Sequence, residues 1–185
     1  MNYGVRYTSD RINNSNAAAL FNGSGNYLSV PNNASINFVT GDFSIFTIIK
    51  TSVIPTYSWN AIVTKHNLAC WHDADYYLQI DGATGRPIFG LSTNYGLFEN
   101  VIYQSNICDN NYHSLCGVRE NRVLKFYVDG ELVGSLNSTI NADNSNPLNI
   151  GRSSYNGGQG YFPGVIDEVR MYNRALSQQE IRNLF

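Results

Sequence analysis

The stretch "GVIDEVRMYNRALSQQEIRNLF", residues 164–185, changes its period part-way. Val165 to Tyr172 reads as a strand rich in β-branched and aromatic residues. Beyond it, Ile181, Leu184 and Phe185 recur at helical spacing, and Ser177 with Glu180 makes an S-x-x-E capping box. The stretch predicts a strand that hands the chain to a short helix, whose apolar face docks on the body of the protein. Asp167 and Glu168 stand side by side in that strand. Strict alternation puts Asp167 with Val165, Val169 and Met171, and Glu168 with Ile166, Arg170 and Tyr172 on the opposite face. A carboxylate on an apolar face is costly unless it is paired, hydrogen-bonded or bound to metal. Asp167 is therefore expected to hold a cation or to accept backbone N–H bonds, and Glu168 to pair with Arg170 in solvent.

Upstream, short apolar runs separated by Gly, Asn, Asp and Pro recur, with no helical periodicity before residue 174. Candidate strands include Tyr27–Val30, Phe43–Lys50, Tyr76–Ile80, Pro87–Ser92, His113–Arg119, Val123–Val128 and Leu148–Ile150. Phe43, Ile45 and Ile49 alternate with Phe46 and Ile48, which predicts a central strand covered on both faces. "FYVDGELVG" reads as a hairpin, with Asp129-Gly130 filling the two positive-φ positions of a type I′ turn. "QIDGATGRPIFG" reads as another, with a longer loop. The expectation is an all-β protein with two large antiparallel sheets in one domain over residues 17–185. Residues 1–16, polar and rich in Asn, are expected to form an arm or linker remnant.

Composition agrees and removes several function classes. Charged residues are 14%, against about 25% in ordinary soluble proteins, while 13 Tyr and 9 Phe supply bulk for pleated surfaces. The net charge of −2 contains no basic run, so nothing provides the footprint that nucleic acid requires. No apolar run approaches the roughly 18 residues of a membrane span, and the opening residues lack the pattern of a signal peptide. Three cysteines, Cys70, Cys108 and Cys116, cannot all pair and have no metal-site spacing, so free and mostly buried thiols are expected. Glycosylation patterns at Asn13, Asn22, Asn33 and Asn137 carry no weight in a chain so rich in Asn and Ser.

Several phrases together resemble one family. They are "ALFNGSGNYLSVPNNASINFVTGDFSIFTIIKTS", "IVTKHN", "YYLQID", "DNNYHSLCGVRENRVLKFYVDGELVGS", "PLNIGRSS" and the terminal stretch quoted first. Over residues 17–185 they are similar to the laminin G-like, concanavalin A-like jelly-roll domains, which include pentraxin-type modules and many carbohydrate-binding modules. Where that family usually carries Trp-His, this chain has Tyr112-His113. The resemblance implies a two-sheet antiparallel jelly-roll sandwich with a short C-terminal helix, attached to a larger extracellular or cell-surface protein. It also implies a structural Ca²⁺ between the last strand and the N-terminal strands. Asp167 would be a ligand, with Asn22 of "NGSGN" and Asp42 of "TGD" as further side-chain donors among backbone carbonyls.

For chemistry the sequence offers little. Related glycoside hydrolases place paired carboxylates on one strand face, and only Asp73 and Asp75 of "HDADYY" have the spacing, with no glutamate after them. His66, His72 and His113 are scattered, with no nucleophile motif beside them. For recognition there is more. Sugar sites combine an aromatic face with planar polar groups. Trp59, Trp71, Asp73 and Asp75 supply these in one region, and Tyr155, Asn156 and Tyr161 in the late loop "SSYNGGQGYFPG". The alternative is that these aromatics plug the ends of the sandwich. The expected function is a non-catalytic, lectin-like module whose partner is a glycan or polysaccharide. A structural or adhesion module that binds protein is the alternative, and a glycoside hydrolase a more distant one.

Overall fold

The structure, a computed structural model, describes residues 1–55, 59–65, 75–92, 97–155 and 158–185, and the side chains of residues 59, 75, 154, 155 and 159 are not described. Numbered along the chain, one sheet contains β1 (Asn2–Tyr3), β4 (Tyr27–Val30), β6 (Trp59–Thr64), β7 (Asp75–Asp81), β8 (Pro87–Ser92), β9 (Phe98–Ile102) and β13 (Leu148–Ile150). Its order is β1-β4-β13-β6-β7-β8-β9. The second contains β2 (Arg6–Thr8), β3 (Ala18–Asn22), β5 (Phe43–Lys50), β10 (Tyr112–Glu120), β11 (Val123–Val128), β12 (Glu131–Asn137) and β16 (Pro163–Tyr172), in the order β12-β11-β10-β5-β16-β3-β2. A separate hairpin joins β14 (Arg152–Tyr155) to β15 (Gly158–Tyr161), and α1 (Gln178–Leu184) follows β16. All strand pairs among the described residues are antiparallel.

The sheets meet through complete cross-strand rows. In the first sheet Leu28, Ile150, Val63, Leu78, Phe89 and Val101 are successive partners, and all point into the core. Phe89 fits against the second sheet at Gly117, where an added Cβ would fall 2.2 Å from Phe89 Cδ2. The Phe89 ring meets Phe43 edge-on at 6.2 Å, and Phe43 stacks on Phe38 at 4.5 Å. Tyr76 joins this cluster and donates its hydroxyl to Ile36 O at 3.0 Å, so burial raises its phenol pKa while a polar partner is kept.

β5 is central and buried on both faces, as its double apolar row predicts. Phe43, Ile45 and Ile49 face the core, while Phe46 and Ile48 face Leu176 and Ile181 beside and within α1. The capping box forms: Ser177 Oγ accepts from Glu180 N, and Glu180 Oε2 accepts from Ser177 N at 2.8 Å. Phe185, expected on the docked face, is instead 50% exposed, so that face ends at Leu184. The Asp129-Gly130 turn has φ of 51° and 78°, as a type I′ turn requires.

Residues 1–16 do not stand apart as an arm. β1 adds to the first sheet, with Tyr3 opposite Tyr27, and β2 adds to the second, with Arg6 opposite Leu20. An edge strand needs a partner's backbone more than an apolar run, and the one buried anchor here is Val5, whose N–H donates to the Asn2 side chain at 2.8 Å.

The alternation expected of the last strand is also overturned. Ile166 pairs with Ile49 and Glu168 with Ile48, which leaves Asp167 as the extra residue of a β-bulge. The bulge shifts the parity, so Ile166, Val169 and Met171 reach the core and both acids fall on the outer side. Arg11 Nη1 lies 3.1 Å from Asp167 Oδ2 and 3.2 Å from Glu168 Oε1, and Glu168 also pairs with Arg170, as expected. The Asp167 side chain, only 3% exposed, is thus compensated by a guanidinium.

His113 is held between two carboxylates. Its Nδ1 lies 2.8 Å from Asp129 Oδ2 and its Nε2 3.1 Å from Asp109 Oδ1, so only an imidazolium can donate to both. The Asp129 hydrogen bond leads in raising the His113 pKa, against burial. Hydrogen bonds from Asn111, followed by His113, hold Asp109 at about 2. A raised folded-state pKa gives stability that is complete below the unfolded value of about 6.5 and lost as pH rises through the folded one. The melting temperature is predicted to fall as pH rises through that window, which opens at about 6.5, and His113→Gln to flatten the fall. An unchanged slope in the variant would show that the pairing contributes nothing.

Candidate functional site

Two cross-strand pairs meet at the β1 edge of the first sheet. Tyr3 opposes Tyr27 in the β1–β4 pair, and their rings stack at 4.3 Å with an interplanar angle of 8°. Arg152 opposes Tyr161 in the hairpin, and its guanidinium carbon lies 4.5 Å from the centre of the Tyr27 ring. Tyr3 already occupies one face of that ring, so Arg152 covers the other. Tyr161 stands beside the stack at 6.5 Å from Tyr27 with its ring tilted by 41°. Tyr3 is 43% exposed, and Tyr27, Arg152 and Tyr161 are half-buried. The result is a layered Tyr–Tyr–Arg platform, partly open to solvent, that offers the outer face of Tyr3, the tilted Tyr161 ring and a fixed cation.

A single turn brings the hairpin there. β13 ends at Ile150 beside Leu28, and Gly151 follows with φ of 80°. That conformation suits glycine, and no side chain fits in any case, because a Cβ would lie 2.3 Å from Phe21 Cδ1. Gly151 N donates to Ile62 O at 2.9 Å and its carbonyl accepts from Phe162 N at 3.0 Å, which closes the base of the hairpin. The hairpin then packs against β6.

Beneath it the outer face of the sheet is polar. Ser29, Asn149, Thr64, Tyr77, Gly90 and Asn100 form one cross-strand row, the outward counterpart of the apolar row in the core. Ser29, Asn149, Thr64 and Tyr77 are buried, and the row contains neither carboxylate nor histidine. Gly90 leaves space for the Tyr77 hydroxyl, which would be 2.7 Å from an added Cβ. Lys65, just beyond the row, is buried, and its ammonium donates to the carbonyl and side-chain oxygens of Asn144.

Of the residues expected to bind ligand, Tyr161 joins the platform. Tyr155 ends β14, Trp59 opens β6 opposite Asp81, and Asp75 opens β7 opposite Ser92, each placed by its backbone alone. Trp71, Asp73 and Asn156 lie outside the described residues, as does Cys70. Of the other thiols, Cys116 is buried, and Cys108 is half-buried with its pKa raised to about 11, by burial first and then by Asp109. Tyr3, Tyr27 and Arg152 were not anticipated. The signal available was the outward position of Tyr27 in a strand whose next residue, Leu28, points inward.

The three expected metal donors are dispersed. Asn22 is opposite Pro163, four residues before Asp167, and its Oδ1 accepts from Ser24 N at 2.8 Å. Asp42 precedes β5, whose Ser44 pairs with Tyr172 well beyond Asp167, and its Oδ1 accepts from Asn121 N at 2.8 Å. Asp167 holds Arg11. These side chains do not form one coordination shell, and the described residues contain no group of three or more His, Cys, Asp or Glu able to hold a metal.

Residues 22–182 match a family model described as the concanavalin A-like lectin/glucanases superfamily. The chain belongs to this superfamily. No curated protein matches it. Among solved structures, it is similar to the binding domain of Paraclostridial Mosquitocidal Protein 1, at 18% identity and TM-score 0.75, with 98% of this chain and 45% of that one covered. The chain thus spans under half the length of that domain. It is also similar to domain 4 of AbnA, a GH43 extracellular arabinanase from Geobacillus stearothermophilus solved in complex with arabinotriose, at 17% identity and TM-score 0.74, covering 97% of this chain and 80% of that one. A third is the Ruminococcus gnavus IT-sialidase CBM40 bound to alpha2,3 sialyllactose, at 14% identity and TM-score 0.64, covering 85% and 95%. At these identities the likeness is one of fold. No helix among the described residues is long and apolar enough to cross a membrane.

Gly151→Ala is predicted to destabilise the domain by about 1–3 kcal/mol, through overpacking against Phe21 and backbone strain. Chemical denaturation measures it. A loss under about 0.5 kcal/mol would show that the turn is not the constraint described.

Proposed function

We propose that this domain is a non-catalytic carbohydrate-binding module of a larger extracellular protein, and that the glycan docks at the Tyr3, Tyr27, Arg152 and Tyr161 platform. The observation that carries this reading is the ordered ring stack capped by the Arg152 guanidinium. Sugars present a C–H face that packs on aromatic rings, while their hydroxyls need polar neighbours. Membership of the superfamily supports the reading, as does the likeness in fold to two domains solved with oligosaccharides. Trp59, Trp71, Asp73, Asp75, Tyr155 and Asn156 would extend the contact surface.

The residues of the platform support binding without catalysis. Glycoside hydrolysis generally takes two carboxylates about 5–10 Å apart, and the platform contains none. Recognition here uses rings and a guanidinium, with no metal in it. Immobilised-glycan binding is predicted for the wild-type domain, to survive EDTA, and to drop at least tenfold in Tyr27→Ala with the melting temperature within a few degrees of wild type. A blank across diverse polysaccharides would instead favour a structural or adhesive module, and sugar release lost on Asp73→Asn or Asp75→Asn would make it a hydrolase.

A further inference from the structure

The arginine of the platform lacks a partner that four other arginines of the chain have. Arg11, Arg170, Arg174 and Arg182 each meet a carboxylate. Arg152 is half-buried and held over Tyr27, yet it forms no ion pair or hydrogen bond with any described residue, and its Nε is buried without a partner. A cation fixed in this way, with the ring of Tyr27 as its contact, has already lost part of its hydration and rotational freedom, which lowers the cost of taking up an anion. The platform contains no acid to compete for it.

Resting on the carbohydrate-binding reading above, we infer that the glycan taken at this site carries a carboxylate, as uronic and sialic acids do, and that Arg152 selects it. The planar guanidinium presents paired N–H donors that match the two oxygens of a carboxylate, which a lysine ammonium cannot do. The tyrosine rings would pack the C–H face of the same or the adjoining sugar. Selectivity then comes from two separable contacts: rings for any pyranose, Arg152 for the acid.

The test is calorimetric titration with two matched pairs, alpha2,3 sialyllactose against lactose, and trigalacturonic acid against its methyl ester. In the wild type the acid of at least one pair is expected to bind about tenfold or more tightly than its neutral partner, with the preference shrinking as salt is added. Arg152→Gln should weaken the acid far more than the neutral sugar and so close the gap between them, while Arg152→Lys should recover only part of the preference. The wild-type preference stands as a readout even if a variant unfolds. Equal binding of acid and neutral forms in both pairs would overturn the inference while leaving carbohydrate binding intact, provided Tyr27→Ala abolishes it. Arg152→Gln weakening both forms equally would also overturn it, assigning the arginine to ring support alone. No binding of any of the four sugars would overturn the inference, and extending that blank to the immobilised-glycan panel would remove the underlying function as well.

Discussion

The fold depends on the close approach of two sheets at Gly117 and Phe89. With no side chain at Gly117, the Phe89 ring can fill the gap, and Phe43, Phe38 and Tyr76 continue the aromatic layer from there. Complete cross-strand rows follow from that contact, because a sheet packed this tightly cannot slip by one residue without turning its apolar set outward. The same registration fixes the opposite face of the first sheet, where the inward row through Phe89 is matched by an outward polar one. Stability and site thus share one cause. A register that seats Phe89 also aligns Ser29, Asn149, Thr64 and Tyr77 beneath the hairpin.

The platform sits where this order ends. Among the described residues β1 ends the first sheet, and the chain leaves β13 through Gly151 to fold back over β6. The two pairs that build the site, Tyr3 with Tyr27 and Arg152 with Tyr161, are ordinary antiparallel partners. Their meeting is not local: it joins the beginning of the chain to a hairpin about 150 residues later. Such an arrangement lets rings and cation be held by two different sheets, so that each is rigid before a ligand arrives.

Periodicity made most of this architecture legible. The double apolar row of Phe43–Lys50, the Asp129-Gly130 turn and the Ser177–Glu180 box each have a local physical cause, and each is found as expected. What was not legible depended on partners. The opening residues carry no apolar alternation, since an edge strand is chosen by the strand that it joins. The bulge at Asp167 cannot be read from alternation because it breaks alternation, and it turns an expected inward ligand into an outward partner of Arg11. Within the site, Tyr161 was legible as an aromatic in a Gly-rich loop. Tyr27 and Arg152 were not, because nothing in either neighbourhood shows that the other packs on it.

Two readings of the terminal acids and of the loop aromatics therefore separate. The acids brace the last strand against the N-terminal turn, and the proposed recognition surface lies at the edge of the other sheet. The measurement that bears on this most directly is the NMR shift map of the domain titrated with alpha2,3 sialyllactose. The largest changes are predicted at Tyr3, Tyr27, Tyr161 and the Arg152 side-chain N–H signals, with Asp167 and Glu168 undisturbed. Changes centred on the last strand and Arg11, with the platform silent, would contradict the account.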